Sequence, residues 1–335
     1  TNPWVLVVAQ SIVSSALAVI AGLTARRLFN PAAGLAAAAL CALYPYYVWH
    51  DQSLQESGLF AALAALATLL LLQVRDRRSL LTALAAGAML GLAILTRSML
   101  APFALLALAW LMLPDEKHHP VGRRVASAGL AAAALLAVLS PWLVRAHGIT
   151  GEYGLGTETG QSVYAGASPL LFSEFPERNV DVSRRRIFAA MTPIEVASLE
   201  QASHGDEALA SRWFTARGLE MAQADPAGYA VRALRKLAIA FGPRPAPHHG
   251  WLADTAYAAW WIPLLVLGLA GFWRDRVNWR RNLLFAGHFA AFGAVTAVIW
   301  AQTSHRAYLD VYLMIFAAPI LAALLPRALR QRLEA

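Results

Sequence analysis

Nine blocks of apolar residues dominate this chain, at about 4–24, 32–49, 56–74, 80–96, 99–113, 125–144, 253–273, 283–301 and 309–326. Crossing ~30 Å of hydrocarbon takes roughly 17 to 25 apolar residues as helix. Helix is required because lipid offers no partners to backbone polar groups. The fifth block is short, which a smaller tilt or snorkelling ends would accommodate. Many blocks are Ala-rich with scattered Gly, which lets helices approach closely. Composition agrees: of 335 residues, 58% are hydrophobic and only 14% charged, where a soluble chain carries roughly 25% charged residues. The stretch from about 145 to 250 breaks the pattern, being polar and rich in Gly and Pro. The expected fold is an all-α polytopic membrane protein with about nine transmembrane helices and one helical loop domain. The expected divisions are 1–144 (six spans), 145–252 (the loop domain) and 253–335 (three spans and a tail).

Basic residues set the orientation. Alternate connections and the tail hold Arg26, Arg27, Arg75, Arg77, Arg78, Lys117, Arg123, Arg124, Arg274, Arg276, Arg280, Arg281, Arg327, Arg330 and Arg332. The short connections of the other parity hold only Arg97 and Arg306. By the positive-inside rule the C-terminus is cytoplasmic, and the loop 145–252 faces outward. The net charge of +8 then reads as a topology signal with anionic lipid as its partner, not as nucleic-acid binding. Nine spans and an inside C-terminus place residue 1 outside. Thr1 is not a natural start, so an earlier span and outer loop are expected upstream.

Cys41 is the one cysteine, so no disulfide forms within the chain. His118–His119 and His248–His249 lack a carboxylate at metal-ligand spacing and read as loop residues. No cofactor is predicted, and the need for a divalent metal is left open.

Polar residues gather at three outward turns. The first, Tyr44 to Phe60, carries Tyr46, Tyr47, Trp49, His50, Asp51 and Glu56. Asp51 and Glu56 either complete an aromatic belt and suit the dipole of the next helix, or act in chemistry. A carboxylate at the bilayer edge is partly desolvated, which raises its pKa and makes it a better base. The second turn, Leu95-Thr-Arg97-Ser-Met, holds Arg97 as its sole charge. Arg97 either snorkels or presents its planar donor fork to a phosphate. The third, Gln302 to Tyr312, clusters His305, Arg306, Tyr308 and Asp310.

The long loop has legible pieces. Thr192-Pro-Ile-Glu195 is a capping box with Pro at the first helical position, starting a helix to about 202. Residues 206–223 form a second helical stretch. Asp225-Pro226 caps a third, to about Phe241, in which apolar and basic residues fit either a membrane surface or the packing of a small domain. The run Gly151 to Gly166 is glycine-rich, and Gly permits tight turns near a ligand.

These pieces, in this order, resemble the bacterial branch of the dolichyl-phosphate-mannose protein mannosyltransferase family, which are glycosyltransferases of the GT-C fold. Ala25-Arg-Arg-Leu-Phe-Asn-Pro-Ala-Ala-Gly is similar to the family's first inner loop. Tyr44-Pro through Glu56-Ser-Gly-Leu-Phe looks like the outer turn in which an acid begins the next helix. Gly87 through Leu95-Thr-Arg97 resembles a family helix end. Pro141-Trp-Leu-Val-Arg145 with Gly160…Tyr164-Ala-Gly166 resembles the entry to the periplasmic loop, and Asp225-Pro-Ala-Gly-Tyr…Arg232-Ala-Leu-Arg-Lys236 resembles its exit helix.

The resemblance implies an enzyme of the bacterial inner membrane. A sugar on a polyprenyl phosphate is attacked at its anomeric carbon by an acceptor hydroxyl of a glycan, lipid or protein, and the lipid phosphate leaves. Such a reaction needs a carboxylate to take the hydroxyl proton and cations to hold the phosphate. The family's principal acid lies in a first outer loop that would precede Thr1. Glu56 matches its second acidic position, with Asp51 beside it. Arg97 matches the basic position after Leu-Thr. His305-Arg306-Ala-Tyr308 matches loosely a late motif that more often carries an Arg-Tyr pair. Gln161 and Tyr164 are the expected substrate contacts of the glycine-rich run. Two other classes stay open. A transporter or flippase would show repeats and ionisable groups in mid-membrane; no repeat is seen, and His288 is the main interior exception. A non-catalytic membrane scaffold is the other.

Overall fold

The computed structural model describes residues 3–50, 53, 55–114, 119–324 and 326. Among these, every regular element is helical. In chain order the α-helices are α1 (Pro3–Leu28), α2 (Pro31–Ala42), α3 (Pro45–His50), α4 (Ser57–Arg77), α5 (Leu80–Thr96), α6 (Ala101–Met112), α7 (Val121–Thr150), α8 (Thr159–Ala167), α9 (Val180–Ala189), α10 (Pro193–Ser203), α11 (Glu207–Ala224), α12 (Pro226–Ala240), α13 (Trp251–Arg274), α14 (Trp279–Val298), α15 (Thr303–Arg306) and α16 (Asp310–Ala322).

Each of the nine apolar blocks holds helix. Four helices among the described residues are long and apolar enough to cross a membrane: Trp4–Leu28, Ser57–Arg77, Val121–Thr150 and Trp251–Arg274. Pro31–Ala42, Leu80–Thr96 and Ser98–Met112 are apolar but shorter. The second block differs most from expectation. Asn30 caps α2 by accepting from the Ala33 amide at 2.8 Å, with Pro31 in the first turn. The helix then stops at Ala42, because Pro45 disfavours helical backbone at Tyr44 and lacks an amide to donate. Twelve residues of helix reach only ~18 Å.

The chain forms two compact units. The first takes residues 1–138, 256–291 and 307–335. At its centre lies α16, in which Val311 through Ala318 are all buried, as expected of a helix that is apolar all round. Phe285 packs edge-on to Phe316 with ring centroids 5.0 Å apart. Thr68, at 2.9 Å from His288 Nε2 and 3.0 Å from the Tyr312 hydroxyl, links α4, α14 and α16. This gives the interior histidine a polar partner. Helices approach closely where glycine permits it: a Cβ on Gly87 would lie 2.0 Å from the Ala131 carbonyl oxygen, so α5 and α7 meet backbone to backbone.

The basic residues at the ends of the blocks gather at one end of this unit. Arg27 pairs with Asp76. Arg75 donates to the Pro114 carbonyl at 2.9 Å and Arg78 to that of Leu111 at 3.0 Å, satisfying carbonyls that the end of α6 leaves open. Arg281 donates to the Leu28 carbonyl at 3.4 Å, and Trp110 Nε1 to that of Arg280 at 2.6 Å. Arg327, Arg330, Arg332 and Lys117 lie outside the described residues.

The second unit takes residues 139–255 and 292–306. Its helix α8 lies against α11, where a Cβ on Gly160 would sit 1.9 Å from the Ser211 carbonyl oxygen. The capping box forms: the Glu195 amide donates to Thr192 Oγ1 at 3.2 Å and the Thr192 amide to Glu195 Oε2 at 2.9 Å. Helix α12 has one buried face and one exposed face. Lys236 is buried and donates to the carbonyls of Gly166 and Val298 at 3.1 and 3.0 Å. On the other face Val231 and Leu234 are 66% and 67% exposed.

Candidate functional site

The two turns that carry Glu56 and Arg97 come together in the first unit. Helix α5 ends at Thr96, and Arg97 follows in extended backbone with φ −145° and ψ 111°. One 3-10 turn, Ser98–Leu100, then leads into α6. This tight reversal sends the Arg97 side chain toward the start of α4. Its Nε donates to Glu56 Oε1 at 2.8 Å and its Nη2 to Ser57 Oγ at 2.9 Å. The guanidinium also lies over the Phe60 ring, 5.6 Å from the centroid. The Arg97 side chain is only 11% exposed while that of Glu56 is 48% exposed. Arg97 is therefore directed into protein contacts.

Glu56 occupies the N-cap position of α4, with φ −71° and ψ 0°, and makes no side-chain capping bond. Its carboxylate still suits the positive end of the helix dipole. One oxygen is engaged by Arg97, and half of the side chain faces solvent. Asp51, the other expected acid, lies outside the described residues.

The third turn contributes Tyr308, whose ring packs on Phe60 with centroids 4.8 Å apart. Phe60 is thus shared between Arg97 and Tyr308. Two further bonds fix the first turn to the segment around 307–310: Tyr47 donates to the Ala307 carbonyl at 2.8 Å, and Tyr44 to Asp310 Oδ2 at 3.1 Å. His50 stacks on Tyr46 at 5.3 Å. Burial first, and then the charge of Arg97, hold its imidazole below the ordinary value of 6.5, against a weaker upward pull from Gln55 and Glu56.

The other expected contacts belong to the second unit. Gln161 is half-buried and accepts from Arg184 at 3.5 Å. Tyr164 is 4% exposed and packs among Phe188, Trp213 and Phe214. The structure gives Tyr164 a packing role, because its partners on α9 and α11 close over it. His305 is half-buried and Arg306 fully buried. The sequence reading passed over Ser57 and Phe60 as contact residues. Their signal was spacing: one and four residues after Glu56, they start the same helix. Among the described residues no group of three or more His, Cys, Asp or Glu is arranged to hold a metal.

Residues 1–144 match the model of the dolichyl-phosphate-mannose-protein mannosyltransferase family. The resemblance read from the motifs is borne out over that stretch, which contains Glu56, Ser57, Phe60 and Arg97. Over that stretch the chain is similar to glycosyltransferase-type membrane proteins, and its apolar helices agree with a multi-pass membrane protein. No curated protein matches the chain.

Proposed function

We propose that the chain is a glycosyltransferase that moves a sugar from a polyprenyl-phosphate-linked donor to an acceptor hydroxyl at the outer face of a bacterial inner membrane. In this reading all nine apolar blocks span the bilayer in a GT-C-like bundle. The C-terminus is cytoplasmic, and residues 145–252 form a periplasmic domain. The acceptor oxygen attacks the anomeric carbon, its proton passes to a carboxylate, and the bond to the phosphate oxygen breaks with the electron pair leaving on the lipid phosphate.

The observation that carries this reading is the Arg97–Glu56–Ser57 contact. It places a cation and a half-exposed carboxylate side by side at the mouth of an apolar bundle. The Nε–Nη2 edge of Arg97 now faces Glu56 and Ser57. Such an edge matches a phosphate in bidentate fashion. Arg97 is the proposed holder of the donor phosphate and Glu56 the proposed proton acceptor, with Asp51 as a supporting acid. His305, Arg306 and Tyr308 remain proposed donor contacts, and Gln161 a proposed acceptor contact. The test is transfer of labelled sugar from polyprenyl phosphate mannose to an acceptor by the full chain in lipid nanodiscs. Transfer that is abolished by Glu56→Gln with normal expression supports the proposal. Absence of transfer and of donor binding by the wild type contradicts it.

A further inference from the structure

Helix α12, in the second unit, turns its charged side chains onto protein partners and its apolar ones outward. Lys236 is fully buried, with Nζ on the carbonyls of Gly166 and Val298. Arg232 turns back to Asp225 Oδ2 at 3.1 Å, and the Arg235 guanidinium lies over the Phe172 ring, 4.1 Å from its centroid. The exposed face instead carries Ala227, Ala230, Val231, Leu234 and Ala238. A helix on the surface of a water-soluble domain is built the other way round, with its apolar stripe inward and its charges in water. Lysine in particular is almost never fully buried unless it is paired. An outer face of this composition is suited to an apolar surrounding.

The same helix is fixed at a defined height on α14. Val298, whose carbonyl receives Lys236, is the last residue of α14. Phe241, just past the end of α12, packs edge-on to Phe292 with ring centroids 5.6 Å apart. Leu237 lies against Gly293, where an added Cβ would sit 3.8 Å from Leu237 Cδ2. Phe292 precedes Val298 by six residues, which is about 9 Å of helix. Both ends of that interval fall within the apolar block 283–301. Helices that lie in the plane of a membrane bury their apolar face ~5–10 Å into the boundary between headgroups and acyl chains. The contacts with α14 hold the C-terminal half of α12 at that depth.

We infer that the Val231–Leu234 face of α12 lies in the bilayer, with acyl chains as its occupant. The cations that would draw anionic headgroups are already paired or stacked on protein groups, so the contact does not depend on lipid charge. The inference rests on the reading that the block 283–301 spans the membrane. It adds a second lipid contact, made by a helix outside the nine apolar blocks, which moors the second unit at the bilayer surface.

The experiment places one nitroxide at a time on the full chain in nanodiscs, through Val231→Cys, Leu234→Cys, Ala202→Cys and Val266→Cys. Cys41 is buried and gives little background. Collisions with molecular oxygen, which concentrates among acyl chains, are compared with collisions with a nickel chelate confined to water. The bilayers are phosphatidylcholine alone and phosphatidylcholine mixed with phosphatidylglycerol. Val266, 58% exposed on α13, is the lipid reference, and Ala202, exposed on α10, is the water reference. Labels at 231 and 234 should match the oxygen-to-nickel ratio of position 266 and exceed that of position 202 severalfold in both bilayers. A ratio equal to that of position 202 overturns the inference and leaves the spanning reading intact. A high ratio only in the presence of phosphatidylglycerol overturns the choice of acyl chains over headgroups. Nickel contact at position 266 overturns the spanning reading and the inference with it.

Discussion

Arg97 Nε donates to Glu56 Oε1 at 2.8 Å, joining the turn before α6 to the first residue of the α4 cap. The groups proposed to hold the donor phosphate and to take the acceptor proton are thus bonded to each other. An ion pair with one partner half exposed contributes only ~0–1 kcal/mol to stability. It is therefore a small part of what holds the bundle together, and it is weak enough for a phosphate to displace.

That competition gives a distinctive kinetic signature. Glu56→Gln removes the proposed proton acceptor, and losing a general base costs ~10²–10⁴ in rate. It also removes the carboxylate that competes for Arg97, so donor KM should fall while kcat drops. A KM that rises together with a modest fall in kcat would count against the competition.

His50 reports on Arg97 independently of activity. Burial and then Arg97 hold its pKa below 6.5. Arg97→Ala removes the second cause, so the His50 ring should titrate at a higher pH in NMR of the labelled variant. By linkage the unfolded chain binds the extra proton between the depressed value and 6.5, so this residue's contribution to stability falls as pH drops through that window. Arg97→Ala should narrow the window. An unchanged His50 titration would contradict the electrostatic link.

Sidedness is testable with single cysteines. Ala190 and Ala202 are exposed in the second unit, whereas Arg77 and Arg276 are exposed at the basic end of the first. Cys41 is buried and should give little background. An impermeant thiol reagent added from outside should label cysteines at 190 and 202 and spare those at 77 and 276. The reverse pattern would overturn the orientation and the outer-face chemistry together.

The capping box of α10 sets an acid limit for the second unit. The Thr192 backbone bond, ahead of the Arg217 contacts, holds Glu195 below its ordinary 4.5. That stability is present above the ordinary value and is lost as pH falls through the lowered one. Thr192→Ala should cost ~1 kcal/mol, while Glu195→Gln, which removes the titrating carboxylate, should flatten the acid limb of the unfolding curve. An acid limb identical to wild type would place the titration elsewhere.

Much of this was legible in the sequence. The capping box was, because its four residues are contiguous. So was the tightness of the Arg97 turn, bounded by two apolar runs. The pairing of Arg97 with Glu56 was not, because 41 residues separate them and only the register of α4 against α5 brings them together. Tyr44 and Asp310, 266 residues apart, were equally invisible as a pair. Tyr164 looked available beside its glycines, yet those glycines let α8 press against α11 and bury the ring. The break at Tyr44 follows from Pro45, but nine apolar blocks of similar length drew the boundary through it.

Donor KM for Arg97→Ala and Arg97→Lys tests the central claim most directly. A phosphate held by the guanidinium fork predicts a large rise in KM for Ala and only partial recovery in Lys, which keeps the charge but not the planar donors. Full recovery by Lys, with a wild-type KM in the Ala variant, would contradict the account.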